Sequence, residues 1–292
     1  MKNRILFILL LSFVSVNAQL PETDIFVSNM KIKDGKFEFS KPENITHRPG
    51  YDNQPYFMPD GKSLMFVAVP DTTQSEIYSY SFKSKKITPV TSTKESEYSP
   101  MLSPDGKNIS VVRVDGDNGQ RFYKFPVKDY TSASVVNGTD SIGYYCWLNS
   151  GSLAMFILGS AMTLQVLDIN KNERTLIASD VGRCIKLSND QKKLMFVIKQ
   201  NENEWSIFEM DIATMEKKKV VNTIPGSEDY AILKDGSLIM GSKGKLYRCD
   251  PVAGGDWKEI ADFSTELGDF YRISVNVQGD RIAMVAFTGK KP

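Results

Sequence analysis

The sequence predicts an all-β chain: a six-bladed β-propeller with four antiparallel strands per blade, its ring closed by N-terminal strands that join the last blade. Three observations predict it. One strand–turn–strand unit recurs six times along the chain. The copies follow one another at 41 to 45 residues, the period of a propeller blade. A spare pair of strands sits near the N-terminus, where the sixth unit can use it.

The first copy runs from Gln54 through Phe57-Met58-Pro59-Asp60-Gly61-Lys62 to Phe66. The second runs from Ser99 through Leu102-Ser103-Pro104-Asp105-Gly106-Lys107 to Val111. Asp-Gly between two β-rich runs marks a hairpin, because glycine accepts the positive φ of the turn. Weaker copies follow at Trp147–Leu153, Leu187–Leu194, Ile232–Leu238 and Val275–Ile282. The first apolar residue after each turn is Leu64, Ile109, Leu153, Leu194, Leu238 and Ile282. A third strand follows each of the first five hairpins, at Glu76–Tyr80, Phe122–Phe125, Leu164–Leu167, Ile207–Met210 and Leu246–Cys249, and a polar turn and an outer strand come next. Alternating apolar and polar residues suit half-buried antiparallel strands.

The chain stops at Pro292, soon after the sixth hairpin. Asp24–Met30, an Asp34-Gly35 turn and Phe37–Ser40 form the spare pair that should complete the sixth blade. Closure of this kind removes exposed sheet edges. Phe57, Leu102, Trp147, Leu187, Ile232 and Val275 share one column of the inner strands and should face neighbouring blades.

The chain opens with Lys2 and Arg4, an apolar run Ile5–Val14 and the small-residue site Val16-Asn17-Ala18. This is the pattern of a cleaved signal peptide over 1–18, which leaves 19–292 as a single propeller domain. The run is too short to span a bilayer as a helix. A periplasmic or secreted monomer without a transmembrane segment is expected. Lys and Arg number 36 against 35 Asp and Glu, so no global field favours nucleic acid. Lys217-Lys218-Lys219 and Lys290-Lys291 read as solvated turn or tail positions. Cys146, Cys184 and Cys249 read as small buried strand residues. Gly254-Gly255 and Gly159–Met162 read as turns.

The Pro-Asp-Gly-Lys hairpins resemble the propeller repeat of the TolB C-terminal domain and of prolyl-oligopeptidases, over essentially the whole mature chain. The third to sixth copies depart from it by losing the proline of the turn. Glu95–Pro100 and Gly143–Trp147 also resemble segments of exported bacterial TolB-like single-domain propellers of unassigned activity. The resemblance bears on fold, since this propeller serves binding, gating and catalysis in different proteins.

Propellers usually present binding groups where the chain enters the inner strands. Aligned, that column reads Asn53, Tyr98, Gly143, Arg183, Glu228 and Tyr271, and the next reads Gln54, Ser99, Tyr144, Cys184, Asp229 and Arg272. Glu97, Tyr230 and Asp269 flank them. Mixed charge and several tyrosines suit a protein segment or a glycan of the cell envelope, bound without catalysis. The same charges could instead pair across the channel simply to fill it.

Enzyme chemistry has less to draw on. His47 is the only histidine, no Gly-x-Ser-x-Gly elbow accompanies it, and no hydrolase domain is attached. TolB-like oligogalacturonate lyases hold a metal with several histidines, which this chain lacks. Lactonase-like propellers imply an alternative, a hydrolase or lyase with a divalent cation at the channel. Asn53, Glu97, Glu228, Asp229 and Asp269 could then offer hard oxygen ligands to Ca²⁺.

Overall fold

The computed structural model describes residues 20–33, 36–70 and 74–289. The expected signal peptide over 1–18, the Asp34-Gly35 turn and Lys290-Lys291 lie outside the described residues. The described strands build an all-β propeller of six four-stranded antiparallel units. The first blade is Tyr51–Phe57, Ser63–Val69, Glu76–Ser81 and Lys86–Pro89. The second is Ser96–Leu102, Asn108–Val114, Gln120–Pro126 and Ser134–Val135. The third is Ile142–Asn149, Ser152–Ile157, Thr163–Asp168 and Glu173–Ser179. The fourth is Val181–Leu187, Lys193–Lys199, Trp205–Asp211 and Lys217–Asn222. The fifth is Tyr230–Ile232, Leu238–Ser242, Lys245–Cys249 and Trp257–Asp262.

The sixth blade takes Phe270–Val275 and Arg281–Phe287 from the C-terminal end, and Thr23–Lys33 and Lys36–Phe39 from the N-terminal end. Thr23–Lys33 pairs antiparallel with Arg281–Phe287 from Thr23 opposite Phe287 to Asn29 opposite Arg281. Its far end pairs with Lys36–Phe39, and a short strand Glu43–Asn44 lies on it as well. One parallel bridge, Thr23 with Tyr51, stitches this blade to the first. The Thr23 hydroxyl also donates to the Asp52 carbonyl at 2.9 Å.

Five of the six inner hairpins share one turn. The Gly61 N–H donates to Met58 O, Gly106 to Ser103, Gly236 to Leu233 and Gly279 to Asn276. Each of these glycines has φ between 67° and 83°. In the fourth copy Gln191 occupies the same place, with φ 59° and the same bond to Ser188 O. Its side chain therefore carries the left-handed strain that glycine avoids elsewhere.

Packing between blades follows the column expected from sequence. Phe57 clusters with Ile25, Ile45, Ala283 and Val285 of the preceding blade and its connection. Leu102 packs on Met65, Val67 and Ile77, Trp147 with Phe122, and Leu187 with Cys146 and Leu148. Ile232 packs on Cys184 and Met195, and Val275 on Ala231 and Leu233. Phe57 and Trp147 are buried, while the other four remain partly exposed.

The three cysteines are buried free thiols in strands. Burial pushes the Cys184 thiol up to about 12, so none of its chemistry at neutral pH is that of a thiolate. Lys217-Lys218-Lys219 corrects the turn reading. These residues open the outermost strand of the fourth blade, still exposed, with Lys218 paired to Glu209 at 3.0 Å. Among the described residues no helix is long and apolar enough to cross a membrane.

Candidate functional site

The inner strands are interrupted near their starts by irregularities in register. These fall between Asn53 and Tyr56, Tyr98 and Met101, Ile142 and Tyr144, Val181 and Ile185, and Phe270 and Arg272. Gln54 and Ser99 hold φ of 54° and 55° at equivalent places. A bulge breaks strict alternation and re-aims side chains. Here it brings polar residues from the inner strands together around the channel.

The centre of the site is a chain of charge. Lys199 Nζ lies 3.1 Å from Glu228 Oε2, and Arg183 Nη1 lies 3.2 Å from Glu228 Oε1. Arg183 Nη2 donates to Asp229, and Arg272 Nε lies 3.7 Å from the same carboxylate. Arg272 Nη2 then donates to the Tyr144 hydroxyl at 3.1 Å. Arg272 and Tyr144 belong to the sixth and third blades, which face each other across a six-fold ring, so this bond crosses the channel. Arg183 also sits over the Tyr271 ring at 5.9 Å, and Asn53 Nδ2 donates to the Tyr271 hydroxyl.

The electrostatics follow from this geometry. Burial would push the Asp229 carboxyl up, but the Arg272 and Arg183 guanidinium groups outweigh it and hold the group below its ordinary range. Burial would likewise raise the Tyr144 hydroxyl, yet Arg272, by its charge and its hydrogen bond, and Arg183 bring it down. Tyr271 is raised by burial. Losing one partner of such a network leaves a costly buried charge unless another remains. Asp229 is shared by two guanidinium groups and Glu228 by Arg183 and Lys199, so the network has spare members.

Not every residue expected at the mouth reaches it. Gln54, Tyr144, Arg183, Glu228, Asp229, Tyr271 and Arg272 line the channel or its rim, and Asn53 lies buried behind them, bonded to the Tyr271 hydroxyl. Gln54 spans to the second blade, its Oε1 accepting from the Ser99 N–H at 2.6 Å. Tyr98 reaches it in part: half-buried between blades, it acts on Tyr51 together with Arg272, Tyr271 and Tyr144. Tyr230 is fully buried among Cys184, Val197 and Met240, with no partner for its hydroxyl among the described residues. Glu97 is fully buried within the second blade, accepting from the Thr93 hydroxyl at 2.6 Å. Of the oxygen donors named for Ca²⁺, Glu228 and Asp269 line one hollow, while Glu97 is buried within the second blade. Among the described residues no three His, Cys, Asp or Glu side chains come together as a metal set.

Glu97 makes its own prediction. Burial, and then contact with the Glu76 carboxyl, push its carboxyl up to about 8, although the Thr93 hydroxyl opposes this. Its Oε2 meets no donor, and a proton there would let it donate to Glu76. Protonation is thus favoured by folding. Its stabilisation is full below about pH 4.5 and is lost as pH rises through about 8. Asp52, raised by burial to about 6 despite Arg48, works in the same direction over a lower window. Thermal melts of the wild type should fall from pH 5 to pH 9, by on the order of 3 kcal/mol for Glu97. Glu97→Gln should flatten that decline above pH 6. Parallel melting curves for the two proteins would remove Glu97 as its source.

Residues absent from the aligned columns join the site. Lys199 and Trp205 flank the loop between the second and third strands of the fourth blade, with Lys199 Nζ 4.1 Å from the Trp205 ring centre. Antiparallel order puts that loop at the same end as the start of the inner strand, which was a usable signal. Arg183, Trp205 and Glu228 are common to two adjoining hollows on this face. One continues over Phe156, Leu158 and Met162. The other continues over Lys243, Tyr271 and Phe287.

No protein-family model matches this chain, and no curated protein matches it. Solved structures do. A TolB-like protein of Agrobacterium tumefaciens is 13% identical, with 93% of this chain and 100% of that one covered at TM-score 0.67. A gluconolactonase of Xanthomonas campestris is 8% identical, with 93% and 99% covered at 0.62. An oligogalacturonate lyase in complex with manganese is 12% identical, with 87% and 83% covered at 0.59. At these identities the likeness is one of fold.

Proposed function

We propose that this chain is a non-catalytic binding module that takes a protein segment or a glycan at one mouth of its channel. The observation that carries this reading is the double hollow meeting at Arg183, Glu228 and Trp205. It combines fixed charge with aromatic and aliphatic walls, the mixture that orients a ligand by a few polar groups while burying its apolar surface. A TolB-like exported propeller, cleaved of its first 18 residues and acting as a periplasmic or secreted monomer, is the setting we infer.

The competing reading, a hydrolase or lyase using a divalent cation, needs oxygens that converge. Glu228 and Asp229 are engaged with Arg183, Lys199 and Arg272 instead, and Glu97 is turned into its blade.

A crosslinking pull-down from the cell envelope, paired with a glycan array, tests the proposal. Arg183→Ala and Trp205→Ala should each weaken the captured ligand at least about tenfold. The Arg183→Ala protein should melt nearly as the wild type, costing about 1 kcal/mol or less, because Asp229 keeps Arg272 and Glu228 keeps Lys199. Unchanged capture by both variants, or loss of folding with Arg183→Ala, would leave these charges as channel filling only.

A further inference from the structure

The channel interior next to the Arg272–Tyr144 bridge holds a small cavity of about 120 Å³. All six blades contribute to its wall, which includes Gln54, Ser99, Tyr144, Lys186, Asp229 and Arg272. Arg183 lines it as well. Three cations thus face one carboxylate. At the rim Glu228 pairs with both Arg183 and Lys199, and because Lys199 and Glu228 enter together they leave the net balance unchanged. Two positive charges stand uncompensated in a confined space.

Two donors carry the excess. Lys186 has no carboxylate within ion-pair distance among the described residues, although its charge acts on Asp229, Cys146 and Cys184. Arg183 Nε is buried without an acceptor among the described residues. Cations gathered in a narrow channel are unfavourable unless a counter-charge joins them. The volume is too small for a peptide segment or a chain of sugar rings, which belong to the hollows outside. Short hydroxyl and guanidinium donors around a small space fit a planar or tetrahedral oxyanion.

We infer that the channel interior seats a compact oxyanion, a carboxylate, sulfate or phosphate group, held by Arg183, Lys186 and Arg272. The seat does not depend on what the outer hollows bind. The group can arrive as a free ion or as the acidic end of a larger ligand.

Thermal melts and calorimetry of the full chain in sodium acetate, sulfate and phosphate test this, each against chloride at matched ionic strength. At least one of the three should raise the wild-type melting temperature saturably, by about 2–4 °C at ten times its dissociation constant. Lys186→Met should weaken that response at least tenfold, Lys186→Arg should keep most of it, and Trp205→Ala should leave it unchanged. The last variant separates this seat from the mouth, since it should lose the mouth ligand alone. A rise that never saturates, or the same saturable rise in Lys186→Met, overturns the inference. Should Lys186→Met fail to fold, a flat wild-type calorimetric titration overturns it alone.

Discussion

Deleting residues 24–40 is expected to abolish cooperative folding rather than trim a tail. The segment carries the third and fourth strands of the sixth blade. It supplies Ile25, Val27 and Met30, which are 0%, 8% and 5% exposed. Burying each such side chain contributes about 1.5–3 kcal/mol. The deletion also strips the ladder from Arg281–Phe287, leaving an open apolar edge. The loss approaches the roughly 5–15 kcal/mol that holds a typical domain together. Circular dichroism melts and size-exclusion chromatography should show an unfolded or aggregated chain. A truncated protein that melts sharply near the wild-type temperature would show that the ring does not need this strand.

Trp147→Ala should cost about 3–5 kcal/mol in urea unfolding. Trp147 is 6% exposed and crosses from the third blade to the second. Its Nε1 donates to the Ser110 hydroxyl at 2.9 Å, and its ring meets Phe122 edge-on at 5.3 Å. Alanine leaves a cavity at the blade interface and removes both contacts. The Ser110 hydroxyl keeps Tyr145, whose hydroxyl lies 2.9 Å away, so the cost comes mainly from lost packing. A measured loss below about 1 kcal/mol would place Trp147 outside the inter-blade core.

Much of this architecture was legible in the sequence because the turns obey local rules. Five of the six inner hairpins hold one residue of positive φ, and Asp-Gly supplies it in the first, second and fifth. The fourth copy was readable even with Gln191 in that place, since flanking apolar residues kept the spacing. The N-terminal strand pair was legible for a topological reason: the last hairpin lacked its outer partners. The site was less so. Glu97 and Tyr230 sit beside the right columns yet face the interior: Glu97 alternates with its neighbour Tyr98 in a regular stretch of strand, and Tyr230 opens a three-residue strand with its side chain in the inter-blade core. Lys186 was missed for a different reason. It stands three residues from Arg183, which in a regular strand puts it on the opposite face. The irregularity between Val181 and Ile185 lets both line the channel. The partners Lys199 and Trp205 come from a different strand pair, and only the antiparallel order of the blade brings them near.

The seam between Thr23–Lys33 and Arg281–Phe287 joins positions some 250 residues apart in sequence. Loop closure over such a distance must precede any reward from the contacts it creates. Five blades can assemble from near neighbours, but the sixth waits for both ends of the chain. The rate of forming the finished ring is therefore governed by one late encounter, and unfolding should begin where that encounter is undone.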